Sequence, residues 1–302
     1  MAEVCLNSTL LDRVSQPLNI NSTEGVQDLS ETFNISKIRH EPYFNMPSAH
    51  LHPVYEIYYL LNGTRKIFLD DSIYILEKGD MVFIPMNTIH KTSYVNDKTH
   101  ERIVINFNDK AVPDIKSPNC RISFKNIFRA EPVIHISNIH RDYIEGLLNR
   151  MLSEHEQSDG YSDINIKNCL QELIIFLIRY KRHKDSEYIH SIGMTDALMQ
   201  EAARYIRSNY AEDLSLEDVA AHVSISPSYF SKKFKHSTGF GYKEYLVNVR
   251  IQEASDMLLE TNASVNEIAL KCGFNDSDYF GSAFKRIKGV SPLQYRKNNK
   301  YV

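Results

Sequence analysis

Short apolar runs alternate with polar turn residues from about residue 31 to residue 107. The runs are rich in Val, Ile, Tyr and Phe, and turn pairs such as Asn62-Gly63 separate them. The main runs are 54–61, 65–70, 72–76, 81–85 and 102–107. Residues of this type in this arrangement are typical of strands joined by tight turns. The sequence therefore predicts an antiparallel sandwich or barrel in the first half of the chain.

The spacing of apolar residues changes to a helical period after residue 137. Residues 138–156 and 163–182 each predict a helix, and the short polar connection between them predicts an antiparallel pair. The first helix places Ile139, Tyr143, Leu147, Met151 and Leu152 on one face. The second carries Ile166, Leu170, Leu173, Ile174, Leu177 and Ile178. This hairpin either covers the sheet only or also dimerises the protein through its outer face.

A pattern of about fifty residues occurs twice between residues 214 and 296, which indicates a duplicated structural unit. Each copy begins with a short helix, at 215–223 and 264–272, followed by a turn. The next helix of each copy carries one motif, Tyr229-Phe230-x-x-x-Phe234-Lys235 in the first and Tyr279-Phe280-x-x-x-Phe284-Lys285 in the second. Residues 241–261 predict a long helix between the copies. We interpret the copies as two helix-turn-helix units; the alternative is a helical bundle that repeats by chance.

The second copy resembles the C-terminal signature of the AraC/XylS transcriptional regulators. The matching residues are Cys272-Gly273-Phe274, Tyr279-Phe280, Phe284-Lys285, Gly289, Ser291-Pro292 and Tyr295-Arg296. The resemblance implies a transcriptional regulator, favours an activator with a sugar or other small metabolite as effector, and implies double-stranded DNA and RNA polymerase as partners.

The candidate DNA contacts follow from the helical offset of the paired phenylalanines. If these rings point into the core, the helical offset directs other residues of the same helices outward. The outward residues are Ser228, Ser231, Lys232 and Lys235 in the first unit and Ser277, Asp278, Ser282 and Lys285 in the second. Lysines suit phosphates, whereas Asp278 suits a cytosine amino group. We expect the two units to differ in base preference and to enter successive major grooves.

The predicted sheet contains two segments that resemble the cupin motifs. These are His50-x-His52-x-x-x-Glu56 with Gly63, and Gly79-x5-Pro85-x-Asn87-x-x-His90, in which Asn87 replaces the usual Gly. The candidate effector-binding residues are His50, His52, Glu56, Tyr58 and His90. Imidazoles and a carboxylate also form a plausible divalent-metal set, so His50, His52, Glu56 and His90 are candidate metal ligands. Structural or effector contact, metal binding and catalysis remain as alternatives.

Composition limits the class of protein. The 302 residues carry a net charge of −3, and four scattered Cys residues indicate neither a disulfide framework nor a thiolate zinc site. A sequence-indifferent architectural DNA binder would need a larger basic excess. The chain shows no membrane span and no signal-peptide core, so we expect a cytoplasmic protein.

A cupin-type metal-dependent enzyme or metal sensor fused to a DNA-binding domain is the alternative, but the duplicated helix-turn-helix favours a regulator that is not an enzyme.

The predicted fold class is α+β in two domains. An antiparallel cupin-like β-barrel with a helical hairpin precedes an all-α double helix-turn-helix domain. The expected boundaries are a flexible arm at 1–29, a ligand-sensing and dimerisation domain at 30–180, a linker at 181–195 and a DNA-binding domain at 196–302. The homodimer is implied by the family resemblance.

Overall fold

A computed structural model describes residues 33–41, 52–95, 98–108, 110–112, 116–117, 120–121, 131–182 and 192–299. The arm predicted at 1–29, the candidate ligand His50 and residues 183–191 of the predicted linker lie outside these ranges.

Ten strands make up the β part of the described chain. They are β1 (Phe33–His40), β2 (Tyr55–Asn62), β3 (Thr64–Leu69), β4 (Ser72–Glu77), β5 (Asp80–Ile84), β6 (His90–Tyr94), β7 (His100–Phe107), β8 (Lys116–Ser117), β9 (Cys120–Arg121) and β10 (Val133–His135). A five-stranded antiparallel sheet has the order β1-β7-β2-β5-β10, and a three-stranded sheet has the order β4-β3-β6. The predicted strands are therefore present as two facing antiparallel sheets.

The five-stranded sheet is buried on both faces. Side chains alternate across a strand, so neighbouring residues contribute to different clusters. On the face towards the three-stranded sheet, Tyr58, Val82 and Val104 pack with Ile67 and Leu69 of β3. On the opposite face, the large apolar residues pack against the helical hairpin; this cluster includes Ile57, Tyr59, Phe83, Ile105, Leu147 and Leu173. We call the space between the two sheets the sandwich interior.

The predicted hairpin is formed by α1 (Asn138–Gln157) and α2 (Ser162–Arg182). All six apolar residues predicted on the second helix are buried. The face predicted for the first helix is wrong in part, because Ile139 is 88% exposed and Tyr143 is 43% exposed. The buried residues are Ile144, Leu147, Leu148 and Met151. Their spacing of three, one and three residues gives a continuous stripe with the helical period, and this stripe excludes positions 139 and 143.

Seven helices form the described C-terminal part. They are α3 (Met194–Ser208), α4 (Leu216–His222), α5 (Pro227–Thr238), α6 (Tyr242–Glu260), α7 (Val265–Lys271), α8 (Ser277–Lys288) and α9 (Pro292–Asn299). The pairs α4–α5 and α7–α8 are the two predicted helix-turn-helix units, and α6 is the predicted connecting helix. The α+β fold class is confirmed. Helices α2 and α3 extend into the predicted linker at its two ends.

The hairpin of β3 and β4 contacts the C-terminal helices. Its tip residue Asp70 forms an ion pair with Arg207 and accepts a hydrogen bond at its carbonyl from the Tyr245 hydroxyl, 2.8 Å away. Lys66 Nζ lies 3.0 Å from both carboxylate oxygens of Asp196. The Phe68 ring packs edge-on against Tyr245 at 5.9 Å. Strand β3 therefore has one face towards the sandwich interior, and its opposite face contacts the C-terminal helices directly.

In the described part of the chain, no helix is long and apolar enough to span a membrane.

Candidate functional site

Helices α5 and α8 begin and end at equivalent positions of the two repeats. The residues exposed on one helix therefore correspond to those exposed on the other. Helix α5 begins after Ser226, whose hydroxyl accepts a hydrogen bond from the Tyr229 amide, and α8 begins after Asp276, whose carboxylate accepts from the Asp278 and Tyr279 amides. These side chains satisfy amide groups that the first turn of a helix leaves without a partner. Both helices end at a glycine in the left-handed region, Gly239 at φ 89° and Gly289 at φ 77°. Such a residue terminates a helix without a Cβ clash.

The phenylalanine pairs point inward, and the predicted contact residues of the same two helices point outward. Phe230, Phe234, Phe280 and Phe284 are all fully buried. All eight predicted DNA contacts are exposed: Ser228, Ser231, Lys232, Lys235, Ser277, Asp278, Ser282 and Lys285. The geometry therefore leaves hydroxyls, amines and one carboxylate free to face a partner. Contact with DNA stays a prediction for each of them.

The connecting helix fixes the separation of the two surfaces. Helix α6 contains 19 residues, which corresponds to a length of about 28 Å at the usual helical rise. Its buried residues contribute to both units, with Tyr245 and Val249 in the core of the first and Ala254 and Leu258 in the core of the second. One continuous helix therefore joins the cores of the two units, and their entry into successive major grooves stays a prediction.

A group of candidate ligand side chains meets in the sandwich interior. His52 Nε2 lies 3.0 Å from Glu56 Oε2, and His90 Nε2 lies 3.8 Å from the same oxygen. One potential ligand atom from each of these three residues lies within 4.8 Å of the others. The structure thus brings together three of the four predicted metal ligands. His50 lies outside the described residues, so its place in the set stays a prediction.

The backbone orients both imidazoles. His52 Nδ1 lies 2.9 Å from the Val54 carbonyl, and His90 Nδ1 lies 3.0 Å from the Thr88 carbonyl. A hydrogen bond from Nδ1 to a carbonyl fixes the ring so that Nε2 faces the site, which is the usual arrangement of a metal-binding histidine. Asn87 adopts φ 58° and its amide donates to the His52 carbonyl at 2.7 Å. Asn tolerates this left-handed conformation, which explains why it can replace the glycine expected in the motif.

Charge interactions within this group keep Glu56 ionised. Burial opposes ionisation, but the hydrogen bond with His52 and the charges of His90 and His52 lower the pKa of Glu56 to about 2. Burial likewise favours a neutral His52, but its hydrogen bond and charge interaction with Glu56 raise the pKa of the imidazole. An ionised carboxylate beside two imidazoles is a donor set that a divalent cation accepts.

The predicted effector residue Tyr58 lies in the interior beside residues that the sequence analysis missed. These are Arg65 on β3, Thr92 on β6, Arg102 on β7, and His40 and His100 at the strand ends. Arg65 is 1% exposed and Arg102 is 8% exposed. The Arg102 guanidinium carbon lies 5.3 Å from the centre of the Tyr58 ring. Strand alternation was the available signal, because Arg65 has the parity of the interior residues Ile67 and Leu69.

An open groove of about 450 Å³ lies on the outer face of the helical hairpin. Its lining includes Tyr143, Glu172, Ile175, Phe176 and Arg179. The Tyr143 hydroxyl donates to Glu172 at 2.6 Å, and its ring packs against Phe176 at 5.3 Å. This groove is remote from the polar interior, because the five-stranded sheet and its apolar cluster separate the two.

Comparison with known proteins matches both domains. Residues 219–298 match a family described as a helix-turn-helix domain, and residues 41–105 match a family described as a cupin domain. The chain is 36% identical over 135 residues to the regulatory protein PocR of Salmonella typhimurium strain LT2, which covers 44% of this chain and 45% of that one. It is 24% identical over 260 residues to the HTH-type transcriptional activator RhaR of Enterobacter sp. strain 638, over 85% of this chain and 89% of that one. The C-terminal domain of AraT, a response regulator from Geobacillus stearothermophilus, is 33% identical over 36% of this chain and 92% of that one, with a TM-score of 0.35.

The chain therefore spans less than half the length of PocR and most of the length of RhaR. Two helix-turn-helix units behind a cupin domain define a DNA-binding regulator. The matches to both domains and the similarity to the regulators PocR and RhaR support the resemblance to the AraC/XylS family of transcriptional regulators. The named relatives are regulators, and the comparisons lend no support to the alternative of a metal-dependent enzyme.

Proposed function

We propose that the protein is a sequence-specific transcriptional activator that binds double-stranded DNA through α5 and α8 and a small-molecule effector in the sandwich interior. The observation that carries the proposal is the pair of matched helices with exposed hydroxyls and lysines, whose two units are joined by α6. The activator RhaR, which is similar over 85% of this chain, supports the direction of regulation. Activation implies contact with RNA polymerase, and a DNA target implies action in the cytoplasm.

The two kinds of exposed residue should have separable effects on DNA binding. Lys235→Ala is expected to weaken binding to all sequences and to reduce the slope of log affinity against log salt by about 1, because one phosphate contact is lost. Ser228→Ala and Asp278→Ala are expected to change preference at particular base pairs by about 1–3 kcal/mol. The measurement is selection of operators from random duplexes at fixed salt, followed by salt titration of each variant.

Lys37→Ala is the matched control, since Lys37 is an exposed lysine on β1 of the other domain. Its salt slope should equal that of the unaltered protein. An unchanged base preference in both Ser228→Ala and Asp278→Ala would refute the assignment of these helix faces to DNA.

We also propose that His52, Glu56 and His90 bind a divalent metal, with His50 as a fourth ligand. The fixed Nδ1 hydrogen bonds and the ionised carboxylate fit such an ion. A bound metal would supply a Lewis-acidic centre for an oxygen atom of the effector. The chain's own residues would orient the effector and exclude water.

The outer face of the helical hairpin is proposed to form a homodimer. Large apolar side chains are exposed on this face: Ile139 is 88% exposed and Ile164 is 57% exposed. The groove beside Tyr143 and Phe176 adds a concave apolar surface. An exposed patch of this kind commonly marks a protein contact, and a symmetric pairing of two copies would cover it.

Ile139→Lys is expected to convert a dimer into a monomer, because a charge would be buried without a partner at the interface. The fold should be unaffected, since Ile139 makes little contact within its own chain. Sedimentation velocity at micromolar concentration provides the measurement. Leu293→Lys, at a residue 66% exposed on α9, is the control and should leave the dimer intact. If the unaltered protein is monomeric alone and on DNA, the dimer proposal fails.

A further inference from the structure

An open groove of about 560 Å³ lies between the two helix-turn-helix units, and we call it the inter-unit groove. One side is the first half of α6, which contributes Lys243, Glu244 and Val247, and the other side is α8. Among the lining residues, Phe240 belongs to the core of the first unit, whereas Val247 packs against the core of the second. The inter-unit groove therefore follows the junction of the two units.

The inter-unit groove borders a helix face that is predicted to contact DNA. On α8, Tyr279 and Arg286 line the groove, and Ser282 is one of the predicted DNA contacts. The three residues are exposed and follow one another at spacings of three and four positions, which places them on one stripe of the helix. A duplex that contacts Ser282 therefore passes directly beside Tyr279 and Arg286.

The inter-unit groove presents positive charge to a partner. Lys243 and Arg286 are both exposed, and in the described part of the chain neither side chain forms an ion pair or a hydrogen bond. The last turn of α8 contains Lys285, Arg286 and Lys288, so the positive charge continues along this helix. Glu244 is the one carboxylate among the residues that line the groove. The lining thus carries two positive charges and one negative charge.

The backbone of a bound duplex would pass across this junction. When two reading helices enter successive major grooves on one face of B-DNA, the minor groove and its bordering phosphate strands lie between them. Phosphate contacts fix the position of a protein on DNA, and Lys and Arg supply most of the charge for them. A positively charged concave surface between the two reading helices matches both the position and the charge of these strands.

We propose that the inter-unit groove binds the DNA backbone between the two sites read by α5 and α8, with Lys243 and Arg286 each contacting a phosphate. This inference rests on the proposed function, because it adds a contact with the same duplex. Phosphate contacts carry no base preference, but they fix the register of the second unit relative to the first. Glu244 then lies beside the phosphates and opposes binding by repulsion.

The first test compares the salt dependence of binding to a selected operator. Lys243→Gln and Arg286→Gln should each weaken binding about fivefold at about 0.15 M salt and reduce the slope of log affinity against log salt by about 1. Both should keep the base preference of the unaltered protein. Glu244→Gln should strengthen binding about twofold, since salt partly screens the repulsion between exposed charges. Lys37→Gln, at an exposed lysine of β1, is the control and should match the unaltered protein.

The second test locates the contacted phosphates on the DNA. Operators are synthesised with neutral methylphosphonate linkages only in the segment between the two base-reading sites. The unaltered protein should bind this duplex about fivefold more weakly for each contacted phosphate that is replaced. Lys243→Gln and Arg286→Gln have each lost one contact already, so the replacement should weaken their binding by correspondingly less. A duplex with methylphosphonates only beyond the operator is the control and should bind as the unmodified duplex does.

The inference is overturned if both Gln variants bind the unmodified operator as the unaltered protein does, if Glu244→Gln weakens binding, or if the methylphosphonates weaken every variant equally. Normal operator binding by Lys243→Gln and Arg286→Gln with loss of transcription activation would show that the groove receives a protein partner instead. In these cases the DNA-binding function stands. If the unaltered protein selects no operator, the proposed function fails, and this inference fails with it.

Discussion

Phe280→Ala is expected to destabilise the second helix-turn-helix unit by about 3–5 kcal/mol, because a fully buried ring is removed and a cavity remains. Phe280 packs in a cluster formed by the second half of α6, α7 and α8. Phe230, its counterpart, packs in a separate cluster that also contains Phe68, Ile73 and Ile89 from the sandwich. The loss should therefore remain local. A small domain is stable by only about 5–15 kcal/mol, so the second unit should open far more often than in the unaltered protein.

Native-state hydrogen exchange measured segment by segment would locate the change. Amides of α7 and α8 should lose protection in Phe280→Ala, while those of α4, α5 and the sheets keep it. Phe230→Ala should instead lower protection in β3 and β4 as well. Leu270→Ala, at a residue 66% exposed on α7, is the control and should shift stability by no more than about 0.5 kcal/mol. Equal loss of protection in both domains of Phe280→Ala would show that the two clusters are not separate.

The duplicated unit could be predicted because its signals are local. Ser215 and Ser264 each begin a short helix with a reciprocal hydrogen bond to an acidic residue three positions later, Asp218 and Glu267. These capping residues, the buried phenylalanines and the terminal glycines all lie within a few residues of the structure that they determine. The helix faces in this domain were predicted correctly for the same reason.

The C-terminal signature contains residues whose role is structural. Arg296 donates from Nε to the Leu258 carbonyl at 3.0 Å and from a terminal nitrogen to the Ala263 carbonyl at 2.6 Å. The Tyr295 ring packs against Phe284 at 5.4 Å. Tyr295 and Arg296 therefore attach α9 to the end of α6 and to the second core. The sequence pattern located these residues, but only the packing explains them.

The predictions that failed depended on contacts between distant segments. On α1, the sequence alone allows two apolar stripes, and the sheet selects the one that contains Ile144 and Leu148. Arg65 and Arg102 were missed because an arginine in a strand normally faces water. Register places Arg65 opposite Leu76 and Tyr94, and Arg102 opposite Leu60 and Ile38. Strand alternation groups each arginine with apolar neighbours on one face, and the pairing of strands identifies that face as the interior.

Metal removal is expected to have the other large effect. If His52, Glu56 and His90 bind a divalent ion, the purified protein should contain about one equivalent of metal per chain, and chelation should lower the unfolding midpoint. A metal at a concentration a hundred times its dissociation constant would stabilise the folded state by about 2.7 kcal/mol. Nitrogen and oxygen ligands suit Zn²⁺, Mn²⁺, Fe²⁺ or Ni²⁺. Elemental analysis identifies the ion, and re-addition of Zn²⁺ or Mn²⁺ to chelated protein should restore the midpoint.

His90→Gln and Glu56→Gln should each lower the metal content and remove the metal-dependent rise in stability, since each deletes one ligand. His222→Gln is the control, because His222 lies on α4, where it stacks on Tyr205 at 3.8 Å. Metal affinity should also fall as the pH decreases through the pKa of His52, which its interaction with Glu56 raises above the ordinary value, because imidazole ligands must lose their proton to bind. Unchanged metal content in both ligand variants would place the ion elsewhere. Absence of bound metal, together with no stabilisation by Zn²⁺ or Mn²⁺, would leave His52, Glu56 and His90 as a hydrogen-bonded group of the effector pocket.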